Sequence, residues 1–358
     1  MKRTTHVTLG VVLGLGLVAA AAPAATVTLT DCAASPVKLV GKKTVVDVPA
    51  DELVIRCALL PLNSQGRIEV TARSIFVDGD HGGSVAAAGK GTAIKLEALG
   101  TGQDGRSLRI DGSNVTSANR NGDVEMTGAG AIEVRGSGLQ AGGVLRLTCT
   151  GPSCPITLDD VQTASNDLDI DAQGTVNIRS SRLVTSSPID RVDIQSASGD
   201  VLITVAGASA QSTRTSTGLA CLDDVLALCS GPDCPLPVTI ASPEEAVAFC
   251  ACDEPPPTEI DTGIEGDVHI EAPQGDVDLR GTSVSAGQNI DIVAAAQALL
   301  DDASVQNCGP KTGTITVTGA ACRVERATLL DDDSDAAPTL NCAVSGTAVQ
   351  IGSCSARS

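Results

Sequence analysis

Apolar and polar positions alternate along most of the chain. From Gly266 to Gly287 the pairs Val268/Ile270 and Val277/Leu279, then a lone Val284, stand among Asp, His, Glu and Arg, with Gly-Asp or Pro-Gln-Gly between the runs. The pattern restarts at Ile290/Ile292. A period of two reads as strand, and its return every twenty-odd residues reads as the stacked coils of a β-solenoid. Further pairs at Ile68/Val70, Ile94/Leu96, Leu108/Ile110, Val124/Met126, Leu145/Leu147, Leu168/Ile170 and Val192/Ile194 predict the earlier coils. Ile132/Val134, Val176/Ile178 and Val201/Ile203 predict a second strand within several of them. Gly, Asn, Asp and Ser between the pairs supply turns. The interposed acids Asp123, Glu125, Asp169, Asp193 and Asp278 are expected to face solvent.

The pattern also marks where coils are interrupted. Residues 1–24 read as a secretory signal: Met1-Lys2-Arg3, an apolar run from Val7 to Ala22, and a small-residue cleavage site at Ala22-Pro23-Ala24. Residues 25–65 are expected to form an N-terminal cap, 66–212 coils, 213–262 a cysteine-rich insertion, 263–320 further coils and 321–358 a C-terminal cap. Within the insertion, Ser242-Pro-Glu-Glu245 predicts a short helix, with Ser as its cap, Pro in its first position and Glu245 closing a capping box. It is expected to end near Cys250-Ala-Cys252.

Composition supports the thin core of a solenoid. Phe76 and Phe249 are the only aromatic residues in 358, whereas a compact core of this size normally uses several large rings. The 43 acidic residues outweigh 24 basic ones, a formal net charge of −19. Such a surface repels nucleic acid and anionic lipid, and no membrane insertion is expected once the signal is cleaved. Thirteen cysteines behind an export signal predict disulfides in an extracellular, cell-surface or periplasmic protein. The expected pairs are Cys32–Cys57, Cys149–Cys154, Cys229–Cys234, Cys308–Cys322 and Cys342–Cys354. The second and third arise because Cys-[Ser/Thr]-Gly-Pro-x-Cys-Pro follows a strand at Cys149 and again at Cys229. Their odd number leaves one thiol for a disulfide-linked oligomer.

Gly266 to Ala294, and Asp167-Leu-Asp-Ile-Asp-Ala-Gln-Gly-Thr-Val-Asn-Ile-Arg-Ser-Ser-Arg-Leu-Val-Thr185, resemble the repeats of filamentous-haemagglutinin-type adhesins. The resemblance covers 66–212 and 263–320. It implies a right-handed parallel β-helix with an adhesive role on a bacterial surface. The chain differs from that family in its cysteine content and in lacking an Asn-Pro-Asn element.

Catalytic and metal motifs are sparse. Asp159-Asp160, Asp223-Asp224 and Asp301-Asp302 offer paired carboxylates of the kind that cleave glycosidic bonds. The companion Gly-His-Gly and Arg-Ile-Lys motifs of polygalacturonase-like enzymes are absent. His81 and His269 are the only histidines after the expected signal; with no Gly-x-Ser-x-Gly elbow and an open coil wall, neither a triad nor a two-histidine zinc site is expected, and each reads as a surface residue. Gly100-Thr-Gly-Gln-Asp-Gly105 matches a dinucleotide fingerprint but precedes a strand pattern, so it reads as a turn. Asp331, Asp332, Asp333 and Asp335 are weak calcium candidates without the glycine and distant Glu of a calcium loop. The sequence thus predicts an all-β, right-handed parallel β-helix with capped ends, no catalytic residues and no cofactor-binding residues. Its expected role is structural or adhesive, toward a surface, matrix or glycan ligand. A carbohydrate-active enzyme and a solenoid assembling end to end are the alternatives.

Overall fold

The computed structural model describes residues 25–63, 66–185, 191–204, 258–262, 266–307, 313–331, 338–345 and 350–353. The signal, the helix at Ser242 and most of the cysteine-rich insertion lie outside them. The described chain is an all-β parallel solenoid of about ten coils, whose strands hydrogen-bond mainly to strands one coil away. Three walls meet at three corners. Only the strand Lys38–Val40 is antiparallel to its neighbour, Lys43–Ile55, among the described residues.

The apolar pairs stack in register. On the first wall Ile68/Val70, Ile94/Leu96, Val124/Met126, Leu145/Leu147, Leu168/Ile170, Val192/Ile194, Val268/Ile270 and Ile290/Ile292 form two continuous inward ladders. Each of these side chains is almost completely buried. Full burial of one such chain is worth about 1.5–3 kcal/mol, and strand spacing of ~4.8 Å brings each onto its counterpart above and below. Leu108/Ile110 belongs elsewhere. It stacks on Ile75/Val77 and under Ile132/Val134 on the second wall, because it follows Leu96 by less than a full coil.

A third wall completes each coil with very short strands. Its main apolar ladder is one residue wide, Leu59, Val85, Val115, Leu139, Thr163, Leu183, Ile260, Val284, Val305 and Leu329, and a second buried column beside it holds small or polar residues such as Ala87, Ser117, Ser165 and Thr185. Thr163 is the main ladder's single polar rung, and its hydroxyl accepts the Val184 N–H at 3.2 Å. The strand Glu259–Asp261, expected within the insertion, is a regular member of this wall between Arg182–Thr185 and Ser283–Ser285. A lone Ile260 between two acids carries no period-two signal, which explains the misplaced boundary.

Regular pairing also reaches both regions expected to be caps. Lys43–Ile55 already runs parallel to Arg67–Asp78, and Thr339–Ser345 runs parallel to Ile315–Glu325. Cys32 and Cys57 join neighbouring coils at one end, with Cα atoms 5.8 Å apart. At the other end Cys322 lies against Cys342, Cα atoms 5.6 Å apart, in place of the expected Cys308–Cys322 and Cys342–Cys354. A separation of 20 residues is about one coil and brings the two cysteines onto adjacent strands, Cys342 lying at the register shift opposite Gly319 and Ala320. Cys322 is an inward rung of the second wall, and Cys308 lies outside the described residues.

Candidate functional site

The chemistry-bearing side chains stand on the outer walls and at the corners. The corner between the second and third walls repeats one conformation. Gly112, Gly136, Asp160, Ser180, Gly281, Asp302 and Arg326 occupy the equivalent position in seven coils, with φ between 44° and 63°. Glycine adopts this left-handed region freely, and Asp tolerates it better than most residues. After several of these positions a buried hydroxyl closes the turn. Ser181 donates to the Arg179 carbonyl at 2.6 Å, and Ser137 likewise donates to that of Arg135.

Thr258 fills the same role one coil after Ser181. Its hydroxyl donates to the Thr204 carbonyl at 2.7 Å, although the two residues are far apart in sequence. Thr204 and Thr258, the described residues on either side of 205–257, thus meet at the corner where other coils have a single left-handed residue. The coil on either side continues without a change of register.

This corner accounts for two of the three Asp pairs. Asp159 and Asp301 end second-wall strands, and Asp160 and Asp302 are the left-handed residues that follow. Asp301 and Asp302 are both engaged by Arg326 from the next coil, at 2.6 and 3.0 Å. Desolvation raises the Asp301 carboxyl above its ordinary value, and Arg326 opposes that shift. Asp159 and Asp301 are four rungs apart, about 19 Å at the usual strand spacing. That exceeds the separation of a working glycosidase pair. Asp223-Asp224 lies outside the described residues.

Several carboxylates, Asp123 of the expected solvent-facing set among them, hold the coils together. Asp123 Oδ1 accepts the Val144 N–H at 2.9 Å, Asp167 that of Arg191 at 3.1 Å, and Asp267 that of Asn289 at 2.9 Å. On the second wall Asp200 accepts the Asp276 N–H at 2.9 Å and Asp276 that of Gln297 at 2.8 Å. Each carboxylate stands at the start of a strand or just before it and satisfies a backbone donor at the same edge of the following coil. The recurrent Gly-Asp of the sequence is this device. Asp278 also departs from expectation: it is buried and paired with Arg280 through a 2.9 Å bond.

Ion pairs absorb much of the remaining charge. Buried Glu133 is bound by Arg106 and Arg135, and Asp78 by Arg56 and His81 at 2.8 and 2.7 Å. Burial raises the Asp78 carboxyl, but these two partners hold it below the ordinary value. Arg109 lies 4.6 Å over the Phe76 ring. The densest acids are on the first wall, where Asp169, Asp193, His269 and Asp291 are successive rungs beside Asp171 and Glu271. Desolvation raises the Asp171 carboxyl, and Asp193 and Asp169 raise it further.

The histidines do not meet. His81 lies in the turn Gly79–His81 between the second and third walls, whereas His269 is on the first wall six coils away, 3.5 Å from Glu271. Among the described residues no group of three or more His, Cys, Asp or Glu is placed to hold a metal. Asp331 ends the strand Thr328–Asp331; Asp332, Asp333 and Asp335 lie outside the described residues. Gly100 to Gly105 is a corner turn closed by a 2.7 Å bond from the Gly102 N–H to the Arg106 carbonyl.

Cys149 and Cys154 staple a corner between the first and second walls, with Cα atoms 5.9 Å apart. Cys149 stacks between Gly128 and Ala172, in a column of small residues where the coil bends. Cys229, Cys234 and Cys354 lie outside the described residues. No protein-family model, curated protein or solved structure matches the chain.

Proposed function

We propose that the chain is an exported, non-catalytic scaffold whose walls serve a structural or adhesive role outside the cytoplasm, toward a surface, matrix or glycan ligand. The observation that carries this reading is the use made of the carboxylates. They cap backbone donors of the next coil, turn corners or pair with arginines, in place of converging in a cleft. Three cysteine pairs at disulfide geometry favour an oxidising compartment. A long, regular outer surface suits binding by many weak contacts, as in the adhesins whose repeats this sequence resembles.

The test assays the exported chain in parallel on glycan and matrix arrays and for release of reducing or unsaturated ends from polysaccharides. Saturable binding without product release is expected. Product release that Asp159→Asn or Asp301→Asn abolishes at unchanged melting temperature would replace this reading with a carbohydrate-active enzyme.

A further inference from the structure

The two ends of the solenoid are the two sides of one cut. At the N-terminal end the outermost strands are Thr26–Leu29 on the second wall, Lys38–Val40 on the first and Ala58–Leu59 on the third. Among the described residues, each pairs along one edge only. At the C-terminal end Thr339–Ser345 closes the first and second walls and Gln350–Ser353 the third, again each paired along one edge only. Unpaired N–H and C=O groups therefore stand in the same three-walled outline at both ends, and open strand edges template pairing with another chain.

Exposed apolar side chains mark the same two places. Of the six large hydrophobics exposed among the described residues, Leu39, Val40, Leu60 and Leu62 lie at the N-terminal end and Val344 at the C-terminal end. Leu39 and Val40 are 50% and 52% exposed, and Val344 52%. Leu62 belongs to the same patch as Leu39, because its N–H donates at 2.7 Å to the hydroxyl of Thr44, the residue opposite Leu39. Charge favours a copy of the same chain as occupant. Three of the seven lysines, Lys38, Lys42 and Lys43, stand on this hairpin in a chain of net charge −19. Lys43 pairs with Glu69; among the described residues Lys38 and Lys42 have no ion-pair partner.

We infer that the N-terminal end docks onto the C-terminal end of a second copy, continuing the second and third walls in parallel and closing the first wall antiparallel through Lys38–Val40. The contact is heterologous, so it repeats into a linear rod. This goes beyond the scaffold role and does not depend on it.

The test is sedimentation of the intact exported chain over a range of concentrations, with a non-reducing gel to identify disulfide-linked species. The expected result is concentration-dependent oligomers without an intermolecular disulfide, seen by electron microscopy as rods growing in steps of about 48 Å, the height of ten coils. Leu39→Lys alone and Val344→Lys alone are expected to remain monomeric with the wild-type circular dichroism and melting temperature. Mixing these two variants leaves one intact end on each, so they are expected to form dimers and stop at two copies. A wild-type monomer at every concentration, or self-association of Val344→Lys alone through its N-terminal end, would overturn the inference. Leu60→Lys provides a second N-terminal variant should Leu39→Lys melt early.

Discussion

At the scale of single residues, the corner between the second and third walls shows how one backbone demand selects different side chains. Gly136 and Asp160 hold the same left-handed conformation one coil apart, with φ of 51° and 54°. A Cβ on Gly136 meets nothing nearer than 4.0 Å, so its substitution isolates the backbone cost. Gly136→Ala is expected to lower stability by about 1–2 kcal/mol. Asp160→Gly should change it by less than about 0.5 kcal/mol, because relief of strain offsets the added freedom of the unfolded chain. Urea melts of both variants check the pair; equal losses would mean that the Asp160 side chain contributes more than its turn geometry. The Asp pairs were visible in the sequence, but not their meaning. Adjacent acids look alike in a turn and in an active site, and only the repeated φ and the reach of Arg326 identify the turn. The Gly-Asp carboxylates were hidden for a related reason: their backbone partners lie one coil away in space.

At the scale of strands, legibility followed the number of inward residues. First-wall and second-wall strands present two, which is enough for a visible alternation, and the expected pairs such as Leu168/Ile170 and Val176/Ile178 stack in register. Third-wall strands present one large apolar residue, with a small or polar one such as Ser117 or Thr185 at the second inward position, so Val115, Leu139 and Ile260 give no visible alternation. The same blindness placed Leu108/Ile110 on the wrong wall. The central ladder is where substitution costs most. Ile170 is 1% exposed between Leu147 and Ile194, and Ile170→Asp buries a charge with no partner. A loss above about 4 kcal/mol is expected, seen as insoluble expression or a melting transition lowered by more than 10 degrees or so. Ile170→Val should cost only about 0.5–1.5 kcal/mol and separates charge burial from lost packing. Normal melting of the Asp variant would show that the side chain is not inward.

At the scale of the whole molecule, long-range order is built from repeated local contacts, and the cysteines record the coil length. Cys32–Cys57 and Cys322–Cys342 are separated by 25 and 20 residues, about one coil each, whereas Cys149–Cys154 spans a single corner. Sequence spacing alone paired the nearest C-terminal cysteines, because the coil length there is concealed by a third wall with only one large apolar residue per strand. Thr204 and Thr258 meet at one corner although 54 positions apart in sequence, and the described strands on either side keep their register. The most direct test is non-reducing peptide mass spectrometry of the protein recovered from the medium or periplasm. The account predicts oxidised Cys32–Cys57, Cys149–Cys154 and Cys322–Cys342. Reduced thiols throughout, or a Cys308–Cys322 link, would contradict an exported solenoid stacked in this register.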